Sequence, residues 1–182
     1  MSMVARPWAA QLLHFWFHEL GPRDWFRGGS HVDAAIERRF ARYWNMLHRR
    51  PAAEFLSSPR MALGAVVLFD QVPRNIFRDD PRAFSSDGLA RAITHGEIAR
   101  GWDAHLNRKQ RQFLYMPLMH SEDIRDQELS LRAFAALGTS LDYARSHHRM
   151  IARFGRFPHR NDVLGRRSTA AEKRAVEAGF SW

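Results

Sequence analysis

The stretch Ile151-Ala152-Arg153-Phe154-Gly155-Arg156-Phe157-Pro158-His159-Arg160-Asn161 decides how this chain reads. It is the end of a helix followed by a segment too rich in arginine, histidine and asparagine for a plain connector. Gly155 is placed to close the helix in a left-handed cap. Pro158 prevents the helix from resuming and pushes Phe157 into an extended conformation. The turn then presents Arg153, Arg156, His159, Arg160 and Asn161, with Phe154 and Phe157 as apolar anchors. Such a turn can bind an anion or pin neighbouring helices.

Working back from it, Leu141 to Phe154 has helical spacing. Tyr143, His147, Met150 and Phe154 form one line, and Arg145, Arg149 and Arg153 form a second, which reads as a solvated basic face. His147 thus lies on a largely apolar face, where a satisfied core histidine is the simpler reading. The line His120, Ile124, Gln127, Leu131 and Phe134 has the same spacing and should turn His120 and Gln127 inward. Asn107 with Gln110 opens the helix before it, Pro117 should kink or interrupt that helix, and Ser121 can cap the next. Glu122 and Asp123 suit its positive end. Thr169 and Glu172 form a capping box for a short last helix.

The N-terminal half follows the same rules. Trp8, Leu12, Phe15 and Trp16 form a first helix with Pro7 in its first turn, ending at Gly21-Pro22. Trp25 and Phe26 fall in a loop and should lie down on another element. Ser30 caps a helix striped by Val32, Ile36, Phe40, Tyr43 and Leu47. Ser58-Pro59 opens a helix whose run Met61 to Phe69 is apolar on every side, and is therefore central. It runs into Asp70-Gln71-Val72-Pro73-Arg74-Asn75, where Pro73 should end it. Burying such polar groups without partners costs roughly 1–3 kcal/mol each, so they form an internal network or one wall of a site. Ser85 or Ser86 starts a helix that ends near Gly101. No segment alternates with period two. The expectation is a single all-α domain over residues 1–182, with seven or eight helices stacked as antiparallel hairpins.

Composition narrows the function. The 182 residues contain no cysteine, which removes disulfides, thiolate nucleophiles and cysteine-based metal sites. The 28 Lys+Arg outweigh 19 Asp+Glu, giving a formal net charge of +9. That favours an anionic partner without defining the fold. Only Lys109 and Lys173 are lysines, a bias that a GC-rich genome also produces. No apolar run approaches a membrane span, and the N-terminal helix lacks a signal-peptide cleavage pattern, so a cytoplasmic protein is expected. His14 and His18 stand four apart, but without a carboxylate pattern they read as surface.

The long motifs together resemble one family. Phe15-Trp16-Phe17, Asp70-Gln71-Val72-Pro73-Arg74-Asn75-Ile76-Phe77-Arg78, Leu114-Tyr115-Met116-Pro117-Leu118-Met119-His120-Ser121-Glu122-Asp123, Asp126-Gln127 and Arg153 to Asn161, with Leu164-Gly165-Arg166 and Ser168-Thr169, look like the signature of the bacterial domain-of-unknown-function family nine-two-four. The resemblance covers essentially the whole chain. It implies an all-helical, tetratricopeptide-like fold and no activity.

Three functions follow in order. The first is an interaction module for a protein or peptide partner, its polar motifs fixing how helices dock. The second is a site for a small anionic carboxylate or phosphate, catalytic or not, built from Asp70, Gln71, Arg74, Asn75, His120, Glu122, Gln127, His147, Arg153, Arg156, His159, Arg160 and Asn161. No nucleophile–base pair is legible in that set, no cofactor is implied, and no tight ligand spacing points to a metal. The third is nucleic-acid binding through the arginine face.

Overall fold

A buried stem organises the first half of the computed structural model, which describes residues 7–180. Helix α4 (Pro59–Val66) opens with Ser58, whose hydroxyl accepts the Met61 N–H at 3.2 Å, and with Pro59 in its first turn. Every residue from 62 to 72 is buried, as a run apolar on all sides requires. Against it lies α1 (Pro7–His14), continued by a π turn over Phe15–Glu19. The two approach so closely that a Cβ on Gly64 would come within 2.9 Å of the Ala9 Cβ. The helices α2 (Pro22–Arg27), α3 (Ser30–Leu47), α5 (Val72–Ile76) and α6 (Asp87–Ala99) complete this unit. It comprises the described residues up to Arg78 together with Arg82–Leu106.

A second compact unit runs from Asn107 onward and includes Asp79–Pro81. It contains α7 (Arg108–Met119), α8 (Ile124–Leu137), α9 (Leu141–Phe154) and α10 (Ala170–Glu177). The connections between α7, α8 and α9 are short and successive helices pack on one another, so they form antiparallel hairpins. Asn107 with Gln110 and Thr169 with Glu172 form reciprocal capping boxes. Gly138 and Gly155 close α8 and α9 at φ 68°. Met150, Ile151, Phe157 and Ala175 meet in a core that joins α9, the bend and α10. The chain is all-α, and no strand occurs among the described residues.

Several local expectations are corrected. Trp25 and Phe26 belong to α2, which starts because Pro22 follows Gly21 and the Asp24 carboxylate accepts the Gly21 N–H at 2.9 Å. Trp25 does lie down, donating from its indole to the Trp16 carbonyl at 2.8 Å, whereas Phe26 remains 58% exposed. Ser30 is the first residue of α3, preceded by Gly29, and does not cap it. Pro117 does not interrupt α7, which runs on to Met119. Asp123, not Ser121, caps α8 by accepting the Arg125 N–H. Because α8 starts only at Ile124, His120 closes α7 instead of heading the stripe, and Ile124 is 38% exposed.

Candidate functional site

The first polar cluster, in the N-terminal unit, begins with Pro73. Proline has no N–H, so the Phe69 carbonyl four residues back receives no helical bond from it. The chain does not end there. It widens into a π turn over Val67–Gln71, with the Val72 N–H reaching the Val67 carbonyl, and resumes as α5. Side chains then supply donors to three successive carbonyls. Ser86 donates to Phe69 at 2.6 Å while accepting the Trp44 indole N–H at 3.0 Å. Arg74 donates to Asp70, and Asn75 to Gln71 at 2.9 Å. The wholly buried Asp70 carboxylate accepts from Gln71 at 2.6 Å and lies 3.3 Å from Arg74. Arg74 also grips Asp87 through two parallel bonds of 2.8 and 2.9 Å. Burial opposes the charge on Arg74, but Asp70 and Asp87 overcome it and raise its pKa above the ordinary value. The Asp-Gln-Val-Pro-Arg-Asn motif, together with Ser86, thus repairs the helix break that its own proline creates.

The second cluster, in the C-terminal unit, surrounds Phe157, which is fully buried and extended at φ −87°, ψ 109°. The Glu122 carboxylate accepts the Phe157 N–H at 2.7 Å and two Arg166 bonds at 2.8 and 3.0 Å. Arg166 returns a bond to the Phe157 carbonyl at 3.0 Å. Burial pushes the Glu122 carboxyl up, but Arg166, the Phe157 N–H and Arg160 outweigh it and hold the group below the usual range. Arg160 lies over the Phe157 ring at 4.5 Å. His147 and His159 flank that ring at 5.4 and 5.7 Å, and His120 lies 6.2 Å from His147. The His147 Nδ1 is 2.8 Å from the Tyr143 carbonyl, so it carries the proton of a neutral imidazole. Burial, then the neighbouring His120, lowers the His147 pKa to about 3. Burial and Arg160 lower that of His159 to about 4.

The remaining motif residues close on partners as well. Arg156 holds Glu172 at 2.7 and 3.0 Å and also donates to the Arg167 carbonyl. Arg156, with the Thr169 N–H, pulls the Glu172 pKa down to about 2. Gln127 donates from one amide nitrogen to the carbonyls of Met119 and Ser121, both at 2.7 Å, collecting the loose end of α7. Asn161 donates to Ser168 at 3.1 Å. Ser121 donates to Asp126 at 2.7 Å. Of the expected site residues, His120, Glu122, His147, His159 and Arg160 gather around Phe157, with Gln127 tying the adjoining chain. Asp70, Gln71, Arg74 and Asn75 form the separate cluster of the other unit. Arg153 stands apart, over Phe154 at 5.0 Å. No group of three or more histidine, aspartate or glutamate side chains among the described residues is arranged to hold a metal.

Two features were not singled out from the sequence. Glu97 on α6 is fully buried, and neither carboxyl oxygen has a hydrogen-bond partner. Burial and the nearby Asp103 raise its pKa from 4.5 to about 8. The second feature is an open groove of about 450 Å³ along α8 and α9, lined by Leu131, Arg145, His148, Arg149, Ala152 and Arg153. Four-residue spacing on one helix was its only trace in the sequence.

The fold is that of an all-α protein with two internally paired polar clusters. A family model described as "Bacterial protein of unknown function (DUF924)" matches residues 12–179, and the chain belongs to that family. The solved structure of the protein of unknown function ATU0120 from Agrobacterium tumefaciens is similar at 35% identity, with a TM-score of 0.88. The match covers 94% of this chain and 97% of that one. A comparison with curated proteins finds no match. No helix among the described residues is long and apolar enough to cross a membrane.

Proposed function

We propose that this protein is an interaction module for a protein or peptide partner, and that its polar signature is internal framework. The observation that supports this is the closure of three signature arginines on the chain's own carboxylates. Arg74, Arg156 and Arg166 each hold a carboxylate through two bonds, and Glu122 and Gln127 bind backbone groups. A clamp for a small anion needs guanidinium groups facing an opening, and these face their own chain. The energetic role of such a network is to fix how helices dock, because removing one member strands its partner. Recognition then belongs to the outer faces of the helical hairpins.

The test is a thermal-shift series with inorganic phosphate, citrate, magnesium and zinc, alongside helical peptides of differing charge. The expected result is no saturable rise in Tm with any small ion and a rise with at least one peptide class. A saturable rise with phosphate or citrate that disappears in Arg156→Ala and His159→Ala would establish the small-anion reading instead.

A further inference from the structure

We infer that the groove of α8 and α9 is the docking site of an acidic amphipathic helix from a partner protein, an inference that rests on the interaction-module reading. Arg145, Arg149, Arg153 and His148 line this groove, and no carboxylate does. Arg145 has one exposed contact with Asp142 at 3.2 Å. Arg149 and Arg153 have no carboxylate partner among the described residues, and instead lie over Phe180 and Phe154 at 5.8 and 5.0 Å. Those rings hold the two guanidinium groups in place before a partner arrives, which reduces the ordering cost of binding.

The spacing selects the partner's form. Successive arginines four residues apart advance by about 6 Å along α9. A helix bearing glutamate or aspartate at every fourth position has the same repeat, so it can meet all three arginines in register. Leu131 and Ala152 form the groove's apolar and small-residue surface, against which a partner's leucine or alanine packs. No phenylalanine, tyrosine or tryptophan lines the groove, so successive nucleic-acid bases would find only the His148 imidazole and the guanidinium planes to stack upon. The positive formal charge of the chain steers an acidic segment towards it.

The test uses the full chain and three labelled probes in fluorescence anisotropy. One is an alanine-based helical peptide of about 16 residues with glutamates four apart. The second is the same peptide with glutamine for glutamate. The third is a thymidine strand of about 15 nucleotides. The acidic peptide should bind at least about tenfold tighter than either other probe and weaken with added salt. The triple variant Arg145→Gln, Arg149→Gln, Arg153→Gln should lose that margin while its Tm stays that of the wild type. Equal binding of the acidic peptide by wild type and triple variant overturns the groove assignment and leaves the module reading standing. Tighter binding of the thymidine strand, abolished by the variant, assigns the groove to nucleic acid and overturns the proposal. Failure of the acidic peptide to bind overturns it too, whereas binding of any other peptide class leaves the module reading standing.

Discussion

Arg153 and Arg156 are three residues apart and belong to opposite regimes. Arg156, with Arg166, is closed: each grips a carboxylate through two bonds and donates to a backbone carbonyl. Arg153, with Arg149, is open, its charge resting on an aromatic face. The difference teaches that an arginine-rich signature is not in itself a binding surface. What separates the two sets is whether a carboxylate elsewhere in the chain is positioned to meet the guanidinium. A closed arginine should govern stability, and an open one association.

The first attempt to break that contrast is Arg74→Ala. It leaves the buried Asp70 carboxylate without its counter-charge and should cost about 3–5 kcal/mol in urea unfolding. An unchanged midpoint would mean the closed arginines are not framework. Glu97 comes next. Its pKa rises on folding, so the folded state holds a proton that the unfolded state releases. That stability is complete below about pH 4.5 and is lost as pH rises through about 8. The loss runs at up to about 1.4 kcal/mol per pH unit, or about 3 kcal/mol by pH 7. Glu97→Gln should remove this slope when both proteins are unfolded across pH 5 to 8. His147 and His159 act in the opposite sense: their folded pKa values are depressed, and their contribution is lost as pH falls from 6.5 towards 4 and 3. Subtracting the variant's profile from that of the wild type isolates the Glu97 limb.

Glu122→Ala is the third test. It strips the Phe157 N–H and Arg166 of their acceptor and should cost about 2 kcal/mol, read as a lower urea midpoint. Glu122→Gln, which keeps an acceptor, should lose less. The smallest effect belongs to Arg149→Gln and Arg153→Gln, which should move unfolding by less than about 0.5 kcal/mol. A large destabilisation there would erase the contrast between open and closed arginines.

Much of this was legible in the sequence because helix ends are local chemistry. Ser58-Pro59, Asn107 with Gln110, Thr169 with Glu172, and Gly155 all cap as their spacing requires. The all-α class followed from periodicity alone. Pro73 misled because the donor that rescues Phe69 is Ser86, 17 residues away, and no local rule anticipates it. Pro117 misled because it removes the helical bond to the Phe113 carbonyl alone, and α7 runs on to Met119, its end gathered by Gln127. Five of the candidates meet around Phe157, yet the pairing that ties them there has no local signal; Arg166 and Glu122 are 44 residues apart. Glu97 looks like any polar position on an amphipathic helix, and only tertiary packing turns it inward.

The Glu122 clasp has one last effect. It catches the backbone of Phe157 beyond α9 and the head of Arg166, so the whole α8–α9 hairpin is enclosed in a loop fastened at its base. The hairpin tip, where Ser140 adopts a left-handed φ of 55°, is the far end of that loop. A single cut at the tip should therefore leave both strips of the groove tethered, and native gels should show one particle, not two fragments.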